Sequence, residues 1–168
     1  MIFRISAAAG TGDLERACAQ VLRLHAATSE RLPFYGEFYR RIFAVTGAPA
    51  SILDVASGLN PFSLPWMKLK ALTAYIACDI DRAQVACVNG FLPLMGLPPP
   101  AKLQDVICKP PRDAVQVALV LKALPVLEQQ ERGCSERLLL GLNAGFLVVS
   151  FPLYSLGSRS KGMVRHPL

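Results

Sequence analysis

Three acidic residues, each at the end of a short strand-like segment and spaced at a near-constant interval, constrain the fold of this chain more than any other feature. Ile52, Leu53 and Val55 form a short apolar run, with Asp54 near its end and the small residues Ala56-Ser57-Gly58 behind it. A second run over residues 73–78 ends at Asp79, and a less regular one over 102–104 ends at Asp105. The intervals, 79 − 54 = 25 and 105 − 79 = 26 residues, each leave room for one strand and one helical return. Uninterrupted apolar runs of this length are those of parallel strands covered on both faces. Stacked in a doubly wound sheet, three such units set their acids along one edge, where open α/β folds bind ligands. Spacing alone equally allows three ordinary loop aspartates.

The turn after the first run narrows the ligand. Small side chains let a ligand approach the backbone, and an acid beside them suits hydroxyls and positive charge. A dinucleotide pyrophosphate instead needs a G-x-G-x-x-G turn, which this chain lacks, so an NAD-dependent oxidoreductase is disfavoured. Two further strands, over 114–121 and 146–151, bring the expected sheet to five. Helices are expected over 14–26, capped by Asp13, and over 30–45, with Leu32, Tyr35, Phe38, Tyr39, Ile42 and Phe43 on one face. A third is expected over 82–92, capped by Asp81, and a fourth over 127–140.

With 168 residues the chain can bury one real core, and parallel strands account for its 52% hydrophobic content. The longest apolar candidate, 114–127, is interrupted by Lys122 and Pro125 and falls short of the ~18 residues of a membrane span. The N-terminal apolar stretch is too short for a signal peptide. Five cysteines, at 18, 78, 87, 108 and 134, include no C-x-x-C pair, which predicts reduced thiols in a cytoplasmic protein. His25 and His166 lie far apart, so no metal site is expected. Formal charge is +6, from 18 Lys and Arg against 12 Asp and Glu, which suits a polyanionic partner. Residues 155–168 hold Arg159, Lys161 and Arg165 and no acid. A solvated basic tail would have the same composition.

Taken together, five stretches resemble the aminoglycoside-resistance 16S ribosomal RNA (guanine-N7) methyltransferases. They are His25-Ala26-Ala27-Thr28-Ser29-Glu30-Arg31-Leu32, Leu53 through Pro61 continuing to Met67, Cys78-Asp79-Ile80-Asp81, Leu121 through Gln130, and Ser150-Phe151-Pro152 with 155–163. The resemblance spans about residues 20–163 and implies a Rossmann-like α/β methyltransferase fold with a parallel sheet in the order 3-2-1-4-5. It divides the chain into an N-terminal helical segment, 1–46, and an S-adenosyl-L-methionine-binding domain, 47–168. It implies that Arg31 anchors the methionine carboxylate and that Ala56 and Gly58 admit the cofactor to the backbone, with Asp54 near its ammonium group. Asp79 is expected to accept the ribose hydroxyls, Ile80 to pack on adenine, and Asp105 to take the adenine amino group beside Val106. Lys122 and Arg159 are expected at the reacting base, and with Lys161 on the RNA of the small (30S) ribosomal subunit.

The absence of a catalytic His, Cys or carboxylate dyad agrees with that chemistry. Guanine N7 already presents a lone pair, so no base must remove a proton and the enzyme's task is mainly alignment. Ser29, Ser57, Ser158 and Ser160 depart from the family pattern. The resemblance further implies that most of the N-terminal docking module, the final helix and the last two strands are missing. That would leave residues 146–151 as an uncovered apolar edge, prone to association. A competing expectation is therefore a catalytically inactive remnant that still binds S-adenosyl-L-methionine or RNA.

Overall fold

The computed structural model describes residues 11–99 and 101–152. Five strands, β1 (Ser51–Val55), β2 (Ala74–Asp79), β3 (Ala101–Leu103), β4 (Val115–Leu121) and β5 (Ala144–Ser150), form one sheet. All its pairings are parallel, in the order β3-β2-β1-β4-β5. The chain starts in the middle of the sheet, winds out to β3, then returns to the other side of β1 for β4. That reversal opens a crevice between the C-terminal ends of β1 and β4.

Both faces of the sheet are covered, and the alternation along β1 divides its side chains between two cores. Ile52 joins Leu22, Tyr35, Tyr39, Phe62, Tyr75 and Phe91 on one face. Leu53 and Val55 join Ala118, Val120, Leu124 and Leu138 on the other. The first face is packed by α1 (Thr11–Leu22), α3 (Tyr35–Thr46), the single turn α4 (Leu64–Met67) and α5 (Arg82–Phe91), the second by α6 (Leu124–Gln130) and α7 (Cys134–Gly141). Tyr35 and Tyr39 are fully buried, while Leu32, Phe38, Ile42 and Phe43 pack partly buried against the same core. The expected apolar face of this segment is therefore present, and it shares its core with the sheet.

Several boundaries differ from expectation for local reasons. The helix expected over 14–26 stops at Leu22, whose carbonyl accepts the buried Thr28 hydroxyl at 2.5 Å. A new single turn, α2 (Ala26–Ser29), then begins. Asp13 lies inside the first turn of α1 instead of capping it. The helix expected from residue 30 begins only at Tyr35, because Leu32–Phe34 is a 3-10 turn around Pro33, which has no amide hydrogen to donate. The helix expected over 127–140 is two helices. Gly133, at φ 81°, breaks it, and its amide donates to Glu128 Oε1 at 2.6 Å. Asp81 caps α5 as expected, accepting from the amides of Ala83 and Gln84 at 2.8 and 3.1 Å. Among the described residues, β5 pairs only with β4, and Phe146 and Leu147 are 44% and 42% exposed. No helix among them is long and apolar enough to cross a membrane.

Candidate functional site

The crevice at the C-terminal ends of the strands holds a cavity of about 290 Å³. Of the expected site residues, Ala56, Asp79, Ile80, Asp105, Val106 and Lys122 line it. Arg31, Asp54 and Gly58 do not border it, and Arg159 and Lys161 lie outside the described residues.

Asp79 ends β2 and has a fixed carboxylate. Its Oδ2 accepts the Gly58 amide at 2.8 Å and its Oδ1 the Asp81 amide at 2.9 Å. Each oxygen keeps a further lone pair free, so the group is oriented to accept two more donors from one ligand. Gly58 can donate in this way because it sits at φ 53°, where only glycine is unstrained, and a Cβ there would lie 3.3 Å from Gln84 Oε1. Asp105 stands two residues past the end of β3. Its Oδ1 accepts the amides of Ile107 and Cys108 at 2.9 and 3.3 Å, and the Ile107 amide foremost holds its carboxyl below the usual carboxylate range. Ile80 is 64% exposed above Asp79, whereas Val106 is buried.

Asp54 differs from the expectation of three acids on one rim. It points to the same side of β1 as Ile52, into the core beneath Asn60 and Tyr75, and is 1% exposed. Tyr75 Oη donates to its Oδ2 at 2.6 Å and Asn60 Nδ2 at 2.9 Å, while its Oδ1 is buried without a partner. Burial pushes its carboxyl up to about 6, against the opposing pull of the two donors and the Arg31 charge. The Arg31 guanidinium carbon lies 5.8 Å from the centre of the Tyr35 ring, and Nε and Nη1 are likewise buried and unpaired. Two donor nitrogens of Arg31 and one acceptor oxygen of Asp54 are thus buried without a partner, and the Arg31 charge acts on Asp54.

The opposite wall is apolar and comes from β4 and α6. Ala123, Val126, Leu127 and Gln130 fall at helical spacing on one face. That spacing was present in the sequence, but the expected helix began too late to expose it. Gln104 completes the lining beside Asp105, and Ala27 of α2 lies at the N-terminal lip. Nothing in the sequence marked Asn60 and Tyr75 as partners of Asp54, because β2 and the turn after β1 meet only in the folded sheet. Among the described residues no group of three or more His, Cys, Asp or Glu is placed to hold a metal ion.

A sheet in this order, with a fixed acid ending β2 and a second beyond β3 around one cavity, is a Rossmann-like α/β fold of the nucleoside-binding class. Comparison places the chain more narrowly. Residues 1–167 match the ribosomal RNA methyltransferase (FmrO) family, and the chain belongs to it. It is 42% identical over 163 residues to a 16S rRNA (guanine(1405)-N(7))-methyltransferase of Frankia casuarinae, covering 95% of this chain and 57% of that protein. The enzyme of the same description from Micromonospora echinospora is 37% identical, covering 99% of this chain and 62% of that protein. The crystal structure of 16S rRNA methyltransferase RmtF in complex with S-adenosyl-L-homocysteine superposes with a TM-score of 0.76 at 36% identity, over 93% of this chain and 60% of that one. The chain thus spans about six-tenths of the length of these relatives.

Proposed function

We propose that this chain carries the cofactor site of an S-adenosyl-L-methionine-dependent methyltransferase acting on guanine N7 of 16S rRNA in the small (30S) ribosomal subunit. The product would be a decoding site refractory to aminoglycosides. One observation carries the reading: a single cavity at the C-terminal edge of the sheet joins Asp79 and Asp105, on backbone-anchored turns, to an apolar wall. That donor set fits an adenine nucleoside. Asp79 would accept the two ribose hydroxyls, Asp105 the adenine amino group, and Ile80, Val106 and the α6 face would enclose the ring. Arg31 and Asp54 would hold the carboxylate and ammonium of the methionine part, with Ala56 and Gly58 keeping the backbone clear beside them.

The bound cofactor would supply an electrophilic methyl group, and the protein's own residues need only position the guanine. Lys122, at the edge of the cavity, would meet the target base or its phosphate, and Arg159 and Lys161 would add cationic contacts to the RNA. Residues 1–46 would serve as the docking segment and 47–168 as the cofactor domain, in a cytoplasmic protein that needs neither metal nor membrane. Incubating 30S subunits with this chain and radiolabelled S-adenosyl-L-methionine tests the reading. Label at a guanine N7 of 16S rRNA is the expected result. Binding of S-adenosyl-L-homocysteine without transfer would leave a cofactor-binding protein only, and absence of both would overturn the reading.

A further inference from the structure

Lys122 is held at the cavity edge by more than its place in the sequence. It follows β4 directly, in the left-handed region at φ 61°, with its amide donating to the Ser150 carbonyl of β5 at 2.9 Å. Left-handed backbone is costly for any residue with a Cβ, so the surrounding contacts must impose it. Here it turns the side chain away from the ladder, and Nζ, with only 18% of the side chain exposed, pairs with the Glu30 carboxylate. The partners lie 92 residues apart. Glu30 follows α2, whose Ala27 lines one lip of the cavity, while Lys122, Ala123 and Val126 line the other. Helix α2 is a single turn held largely by its own ends: the Thr28 hydroxyl reaches the Leu22 and His25 carbonyls, and the Ser29 and Glu30 amides reach the carbonyls of His25 and Ala26. Ala26, Ala27 and Glu30 are exposed.

We propose that Glu30 is a positioning residue, and that the Glu30–Lys122 ion pair straps α2 to the β4–α6 turn across the mouth of the cavity and retains the nucleoside. The proposal rests on reading this cavity as a nucleoside site. The strap holds the segment preceding Arg31 against the sheet, and it keeps Lys122 directed over the cavity until another anion competes for it. A phosphate of an arriving polyanion carries the same charge as Glu30 and is the natural competitor.

The test uses the full chain and the single and double variants Glu30→Gln, Lys122→Gln and Glu30→Gln/Lys122→Gln. In the ligand-free protein, amide hydrogen exchange at residues 28–31 is expected to rise severalfold in each single variant and no further in the double. With S-adenosyl-L-homocysteine as probe, dissociation is expected to be about two- to fivefold faster in Glu30→Gln, the range for a partly exposed ion pair. The double variant should again be non-additive. Unchanged exchange in Glu30→Gln, or single effects that simply add, would overturn the strap. Raised exchange with an unchanged dissociation rate would overturn its retaining role. Failure of the unaltered chain to bind S-adenosyl-L-homocysteine would instead remove the nucleoside reading, with the exchange data still deciding whether the two lips are tied.

Discussion

The two halves of the sheet are built by different rules. Around β1 and β2 the polar groups are few and individually held: the buried Asp54 takes two side-chain donors and the half-buried Asp79 two backbone donors. Around β4 and α6 the cavity wall is mostly apolar, with Lys122 and Gln130 its polar members, and the outer strand β5 presents Phe146 and Leu147 to solvent. One half offers backbone-anchored carboxylate acceptors, while the other, Lys122 and Gln130 apart, offers an enclosing apolar surface. Recognition is therefore concentrated where rearrangement is costliest, since a fixed carboxylate loses no orientation entropy when a hydroxyl arrives.

The largest break in this contrast is expected from Asp79→Ala. It removes the charged acceptor proposed to face two ligand hydroxyls, each worth roughly 1.5–3 kcal/mol as a hydrogen bond to a charged group. Titration calorimetry should therefore show the affinity for S-adenosyl-L-homocysteine falling by two or more orders of magnitude. Val126→Ala on the opposite wall, losing only part of an enclosing surface, should cost about 1–2 kcal/mol. Equal losses from both substitutions would erase the distinction between the halves.

Paired truncations within the apolar half measure how steeply burial falls from β4 to the outer strand. Leu119 of β4 is fully buried, and its register partner in β5 is Val148, next to the half-exposed Leu147. Leu119→Ala should lower unfolding free energy by about 2–5 kcal/mol, the range for emptying a packed core site. Leu147→Ala should cost under about 1 kcal/mol, because much of its side chain is already in water. Denaturant midpoints of the two variants decide this.

Much of this division could be read from the residues. The acid spacing predicted the parallel sheet, and the order β3-β2-β1-β4-β5 is the one the resemblance implied. What escaped were features created by contacts distant in sequence. Asp54 looked like the neighbour of Asp79 and Asp105 on one rim, but the period-two alternation of β1 sends it into the core with Ile52. Its partners Asn60 and Tyr75 come from the turn after β1 and from β2, and no local pattern links them. The Lys122–Glu30 pair is likewise invisible in sequence, since 92 residues separate its members. Helix ends failed for a different reason. Thr28, Pro33 and Gly133 each redirect the backbone by one specific contact or dihedral, and amphipathic periodicity does not record such events.

Asp54 gives the polar half a pH signature of its own. Its carboxyl lies at about 6 in the folded chain, against about 3.9 unfolded. The folded state therefore binds the proton more tightly, so this group's contribution is fully present below about pH 4 and is lost as pH rises through 6. The difference from the unfolded value corresponds to about 2–3 kcal/mol. Asp54→Asn should be more stable than the unaltered chain at pH 7, with the difference shrinking toward pH 4. The same variant should bind S-adenosyl-L-homocysteine more weakly, as expected for a charge retained for binding at the expense of stability. A pH-independent difference between the two proteins would remove Asp54 as its origin.

Two nearby backbone positions separate a moderate effect from the smallest one. Ala56 and Gly58 both occupy left-handed backbone, at φ 50° and 53°, yet only one is a glycine. Gly58→Ala adds a methyl group in a disfavoured conformation, 3.3 Å from an amide oxygen whose side chain is anchored to Asp81. It should cost about 1–2 kcal/mol. It should also weaken ligand binding severalfold, because the Gly58 amide is one of the two donors that orient Asp79. Ala56→Gly relieves existing strain but frees the unfolded chain, two terms of about 1 kcal/mol that nearly cancel. Its stability should therefore shift by under about 0.5 kcal/mol in either direction, within the range of an ordinary surface change. If Ala56→Gly instead stabilised the chain by well over that amount, the turn would be storing more strain at Ala56 than a left-handed alanine ordinarily carries. The preorganisation of the polar half would then reside in its backbone as well as in its carboxylates.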